Sequence, residues 1–290
     1  MSTTTTTRSA AHGGRSEHGG RAVPGPIFAR VLNSEFIKFR TLLSTVILLA
    51  CTVVVVVGFA ALAAWSTGIF AEAAASDPDA AAVFAEQGAA LTSGVPTSGI
   101  AFAQLILGSL GVLLMSSEFT TGMARSTFVA VPRRLPAFFA KLVVVTVTSF
   151  VLTAVAVLIA GLVSIPILNN YGLELDLASA QSVKTLLVTS LYLAVVAAIG
   201  MALGTIVRNS AGGIISLMGL LFVVPIAFQL IPGEFFVEAR KYLPTNLLSP
   251  LIVEEHIADT LEVWQAALTL GGWVIVPVAL AMLLLKKRDV

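Results

Sequence analysis

Six apolar runs decide what this chain can become. They occupy residues 42–65, 98–117, 142–165, 185–207, 211–231 and 266–285, and none contains a charged side chain. Each is near the length of about 20 residues that crosses a bilayer as a helix. Hydrocarbon offers no partner for backbone N–H and C=O groups, so a spanning segment satisfies them internally, as a helix does. The spacing therefore predicts an all-α polytopic membrane protein with six transmembrane helices. Composition agrees, because only 11% of the 290 residues are charged and the mean hydropathy is +0.95. A soluble domain carries about 25% charge, and no mixed-polarity segment here is long enough to bury a core of its own. The single Cys51 lies inside the first run and excludes a disulfide framework or a cysteine metal cluster.

Residues 1–25 are rich in Thr, Gly, Ser, His and Arg. That composition cannot offset the entropy of folding, and it predicts a disordered tail ahead of a six-helix transmembrane domain over 26–290. His12 and His18 on such a tail read as solvated side chains. The first apolar run begins too late and runs too long for a cleaved signal peptide, so it is expected to stay as a span.

Residues 27–41, IFARVLNSEFIKFRT, predict a short amphipathic helix lying in the membrane interface. Phe28, Val31, Leu32, Phe36 and Phe39 share one face, while Arg30, Asn33, Lys38 and Arg40 lie mostly elsewhere. Glu35 falls on the apolar face. Two readings stand open for it: an i,i+3 pair with Lys38, or a docking contact with a cationic partner.

Orientation follows from the basic residues. Placing both termini in the cytoplasm puts 14 of the 17 Lys and Arg on that side and leaves only Lys184, Arg240 and Lys241 outside. The acids run the other way, with Glu17, Glu35, Glu118 and Asp289 inside and twelve outside. Of the external segments, 66–97 is Ala-rich, 168–184 is short, and 232–265 is the longest. The last contains YLPTNLLSPLIV, too short to span and cut by Pro244 and Pro250, a candidate re-entrant or interfacial element. Trp65 and Trp264 fall where an outer aromatic belt would lie. Pro166 and Pro232 are expected to end the third and fifth spans, and Pro225 and Pro277 to kink the fifth and sixth.

No phosphate-binding GxxxxGK[ST] loop, HExxH helix or GxSxG elbow occurs, and Glu254-Glu255-His256 has the wrong spacing for a metal site. No catalytic, cofactor-binding or metal-ligating set emerges, and the chain is not expected to be an enzyme. The spans also lack the titratable groups that ion-coupled carriers keep at membrane depth. Energy for uphill movement would have to enter from the cytoplasmic side. Gly200-x-x-x-Gly204 and Gly212-x-x-x-Ser216 permit close helix approach, within one subunit or between two.

The loop between the second and third runs, taken as 118–138, holds Glu118, Gly122, Arg125, Arg133 and Arg134. With its neighbours it carries a resemblance. Ser34-Glu35-x-x-Lys38-x-Arg40 precedes the first run, and Ser117-Glu118-Phe119-x-x-Gly122-x-x-Arg125-x-Thr127 follows the second. Pro132-Arg133-Arg134 and Ala140-Lys141 enter the third, Arg208-Asn209-Ser210-Ala211 joins the fourth to the fifth, and Leu243-Pro244-x-Asn246 lies outside. In this order, most of the chain after the tail resembles the permease subunits of type-2 ATP-binding-cassette (ABC) exporters.

The resemblance implies a six-helix subunit of a bacterial plasma membrane. It would pair with a second permease copy or a paralogue, contact membrane lipids and dock on two cytoplasmic ATPase subunits. It implies no cofactor of its own and no nucleic acid. The loop is similar to the family's coupling helix, with Glu118, Gly122 and Arg125 as ATPase-coupling contacts, Glu35 and Lys38 beside them and Arg133 either a partner contact or a lipid anchor. The long tail is a departure from the family pattern. Uncharged spans suit an amphiphilic or hydrophobic cargo. The alternative is a passive channel or a non-transporting membrane scaffold, which would work without any ATPase.

Overall fold

The computed structural model describes residues 28–120, 134–253 and 260–287. Eleven α-helices account for most of them, and no strand occurs among the described residues. They are α1 (Phe28–Thr41), α2 (Leu43–Ala74), α3 (Pro78–Gly94), α4 (Ile100–Thr120), α5 (Arg134–Asn169), α6 (Ala180–Val207), α7 (Ser210–Met218), α8 (Val224–Leu230), α9 (Glu234–Lys241), α10 (Leu248–Ile252) and α11 (Val263–Lys287). Six stretches are long and apolar enough to cross a membrane: α2, α3–α4, α5, α6, α7–α8 and α11. The protein is an all-α, multi-pass membrane protein.

Several helices run past the apolar runs that announce them. The first span continues beyond Trp65 to Ala74, and the Ala-rich stretch after it is itself helical as α3. Asp77 caps α3 by accepting the Asp79 N–H at 2.9 Å, with Pro78 at the first helical position. The expected external loop 66–97 is thus mostly helix, because alanine favours helix even where hydropathy falls. The third span starts at Arg134 rather than near 142, and Pro166 lies inside it instead of ending it. In the fifth span the helix widens to a π-helical turn over Gly219–Val223, immediately before Pro225. A proline lacks the N–H and crowds the preceding turn, and the wider turn accommodates both.

α6 is the central helix, with Ser190, Leu193, Ala194, Ala197, Ile199 and Ala202 all fully buried. Its closest neighbour is α4, and the two backbones touch. A β-carbon at Gly200 would lie 2.1 Å from the Gly108 carbonyl oxygen, and one at Gly111 would lie 2.1 Å from that of Ala197. One at Gly204 would lie 2.5 Å from the Val112 oxygen. Gly200 and Gly204 therefore serve an intramolecular seam. Gly212 meets only its own neighbours Val207 and Asn209, and Ser216 is exposed and donates to the Gly212 carbonyl at 2.8 Å. A buried hydrogen bond crosses the same seam, from Tyr192 Oη to Gln104 Oε1 at 2.7 Å.

Around this core stand α2, α5, α7–α8 and α11, whose outward faces expose Val54, Val151, Ile215, Leu268 and Ile275, as lipid-facing helices do. The stretch 243–253 folds as a 3₁₀ turn (Pro244–Asn246) followed by α10. Leu247 is fully buried and Pro250 is buried. The Trp273 indole N–H donates to the Tyr242 carbonyl and the Gln181 amide to the Ile252 carbonyl, both at 2.8 Å, which pins this stretch to α11 and α6.

Candidate functional site

The end of the bundle where α1, the start of α2, the end of α4 and the start of α5 converge holds a cluster of four charged side chains. α1 reaches it because Val31, Glu35 and Phe39, spaced four apart, form the stripe that the helix buries against α5. Phe28 and Phe36, expected on that same face, are instead about half exposed. Glu35 thus sits in the middle of the contact and is only 5% exposed. The expected i,i+3 pair with Lys38 forms, and a second cation of the same chain, Lys141, also faces Glu35. Its Oε1 accepts from Lys38 Nζ at 2.7 Å, while its Oε2 faces Lys141 Nζ at 3.4 Å.

Lys141, 8% exposed, is the hub. Its ammonium pairs with Glu118 Oε1 and Glu35 Oε2, and it donates to the Leu114 carbonyl at 3.3 Å. An ammonium has three donors, and three acceptors surround this one. Glu118, on the last turn of α4, meets Lys141 on α5 because both helices pack against α2 and α6, which bring these two ends within side-chain reach. Two carboxylates and two ammonium groups make the cluster formally neutral. Taking such charges out of water costs several kcal/mol each, of the same order as their mutual attraction. The cluster therefore specifies how three helices meet more than it adds to stability. Removing Lys141 takes from Glu118 the ammonium it pairs with, whereas Glu35 keeps Lys38.

Beside the ion cluster is a cavity of about 210 Å³, lined by Glu35, Lys38, Phe39, Leu42, Glu118 and Lys141 among others. The α4 end is also tied to the turn between α6 and α7. Ser116 Oγ and Ser210 Oγ lie 2.8 Å apart, and the Arg208 guanidinium stacks over the Phe119 ring at 4.9 Å. Arg208 ends α6 in the left-handed region, at φ 56°, with its N–H on the Gly204 carbonyl. Asn209 then caps α7 by accepting the Gly212 N–H at 2.9 Å. The expected tight hairpin at 208–210 is built from these two residues.

Of the coupling residues read from the sequence, Glu35, Lys38 and Glu118 meet in one place. Gly122, Arg125 and Arg133 lie outside the described residues, as do the tail 1–25 and Glu254–Glu255–His256. Lys141, counted from the sequence among the cytoplasmic cations and in the resemblance but not among the coupling contacts, is the hub of this cluster. A lone acid, Glu118, follows the second apolar run and Lys141 directly precedes the third, but the sequence does not show that the two meet. Gly108 and Gly111 were missed similarly, since only α6 showed a recognisable glycine spacing. Among the described residues no group of three His, Cys, Asp or Glu is placed to hold a metal ion.

No family model, curated protein or solved structure matches this chain.

Proposed function

We propose that the chain is the membrane-spanning permease subunit of an ABC exporter of the type-2 class, energised by separate ATPase subunits at the Glu118 end of the bundle. The observation that carries this reading is the Glu35–Lys38–Glu118–Lys141 cluster. It joins the amphipathic helix α1 to the two helix ends that flank the 121–133 loop, so a force on that loop reaches three elements at once. A plain connector needs no such linkage. The excess of Lys and Arg at this end supports a cytoplasmic placement, and an ATPase docking there would press on a rigid, ion-paired platform. The uncharged spans support an amphiphilic or hydrophobic cargo, moved through a cavity shared with a second permease copy or a paralogue in a bacterial plasma membrane.

The test is reconstitution with the ATP-binding-cassette subunit that co-purifies with the chain. Glu118→Ala should insert and assemble but abolish substrate-stimulated ATP hydrolysis. Unchanged stimulation would refute the coupling role. If no ATPase co-purifies, the permease reading itself fails.

A further inference from the structure

We propose that the end of the bundle opposite the ion cluster carries a binding site for the oxyanion head group of an amphiphile, centred on Arg240. A cavity of about 330 Å³ opens there between the end of α8, the end of α9 and the turn that follows. Besides Arg240 it is lined by Lys241, by the carboxamides of Gln229 and Asn246 and by the hydroxyl residues Thr245, Ser249 and Thr260, so one guanidinium, one ammonium, two carboxamides and three hydroxyl residues border a single space. The Arg240 side chain is half-buried and makes no ion pair or hydrogen bond among the described residues. Lys241, its neighbour, already pairs with Glu238 at 2.8 Å. Thr245 Oγ1 is buried with no hydrogen-bond partner, a costly condition that an incoming acceptor relieves.

The turn is held in shape independently of any ligand. The Asn246 amide donates to the Arg240 carbonyl at 2.8 Å, and Trp273 fixes Tyr242. A planar guanidinium on a fixed backbone is suited to bidentate recognition of phosphate or carboxylate. Charge at this end is otherwise mostly acidic, with Lys184 the only other base beyond the Arg240–Lys241 pair, so a cationic pocket here is not explained by lipid anchoring of the whole surface. The rim favours an amphiphile over a free ion. Ile226, Pro225 and Leu261 line the cavity, and Leu230, next in sequence to the lining residue Gln229, is 76% exposed. They offer an apolar surface for acyl chains beside the polar pocket.

The site does not depend on transport, and its test needs only the purified full chain in phosphatidylcholine nanodiscs. Binding of dioctanoyl phosphatidic acid, inorganic phosphate and dioctanoylglycerol is measured by native mass spectrometry. Phosphatidic acid should bind and dioctanoylglycerol should not. Arg240→Gln should weaken binding about tenfold, the worth of one charge-assisted hydrogen-bond pair. Arg240→Lys should recover part of it, and Thr245→Val should weaken binding a few-fold. Lys184→Gln, a cation at the same end outside the pocket, should change nothing. Equal weakening by Lys184→Gln would overturn the site in favour of general surface charge. Inorganic phosphate binding as tightly as phosphatidic acid would overturn the amphiphile assignment. Absence of binding to the unaltered chain would overturn the proposal outright.

Discussion

Replacing Lys141 by methionine keeps most of the side-chain volume and removes the charge. Glu35 then retains Lys38 at 2.7 Å, but Glu118 loses the ammonium on which its carboxylate rests. Stranding one member of a buried pair costs about 3–5 kcal/mol. The cavity of about 210 Å³ alongside admits water to the stranded carboxylate, so the lower end applies, and we expect a loss of about 3 kcal/mol. The double variant Lys141→Met with Glu118→Met exchanges the pair for apolar contact, an exchange that is often neutral. It should recover most of the loss, giving a coupling energy of about 2 kcal/mol, within the range seen for residues in direct contact. The assay is equilibrium unfolding of the purified chain in mixed micelles, followed by the fluorescence of its three tryptophans, none of which is altered. A double variant as unstable as the sum of the two single variants would refute the reasoning, since independent sites simply add.

Two further expectations concern the α4–α6 seam. Gly200→Ala places a methyl group against the Gly108 backbone and should destabilise the bundle by about 1–3 kcal/mol or more, whereas Gly58→Ala and Gly271→Ala, where nothing lies within 4 Å, should not destabilise it in the same unfolding assay. Tyr192→Phe leaves Gln104 Oε1 without its buried donor and should cost about 1–3 kcal/mol. Adding Gln104→Leu should return part of that loss, and failure to do so would show that the hydroxyl contributes nothing across the seam.

The spans were legible because membrane burial leaves a one-dimensional mark: a run of apolar residues of fixed length. Their ends were less so. Ala-rich 66–74 and the basic, proline-containing start of α5 are helical without being strongly apolar, and hydropathy alone does not see them. Glu35 drew attention because it broke an apolar stripe; Val31 and Phe39 of that stripe are buried with it, whereas Phe28 and Phe36 are about half exposed. What no local pattern discloses is that Glu35, Glu118 and Lys141 meet. That depends on which faces of α1, α4 and α5 turn towards one another, and uncharged spans with little polar asymmetry leave the rotation of each helix unmarked. The glycines show the same limit. Gly200 and Gly204 are recognisable as a pair, but their target on α4 is fixed only when the helices are set side by side.

The ion cluster has a consequence for how the chain is made. Every member of it, on α1, α4 and α5, is synthesised before α6 begins. Spans that enter the bilayer one after another become stable helices before they pack, so the clamp among these elements can close while the central helix is still unmade. α4 would then already be anchored at its Glu118 end, with its glycine-lined flank waiting. The last step of core assembly becomes the docking of one helix onto a prepared surface, and errors at Lys141 would appear first as failed biogenesis, ahead of any loss of turnover.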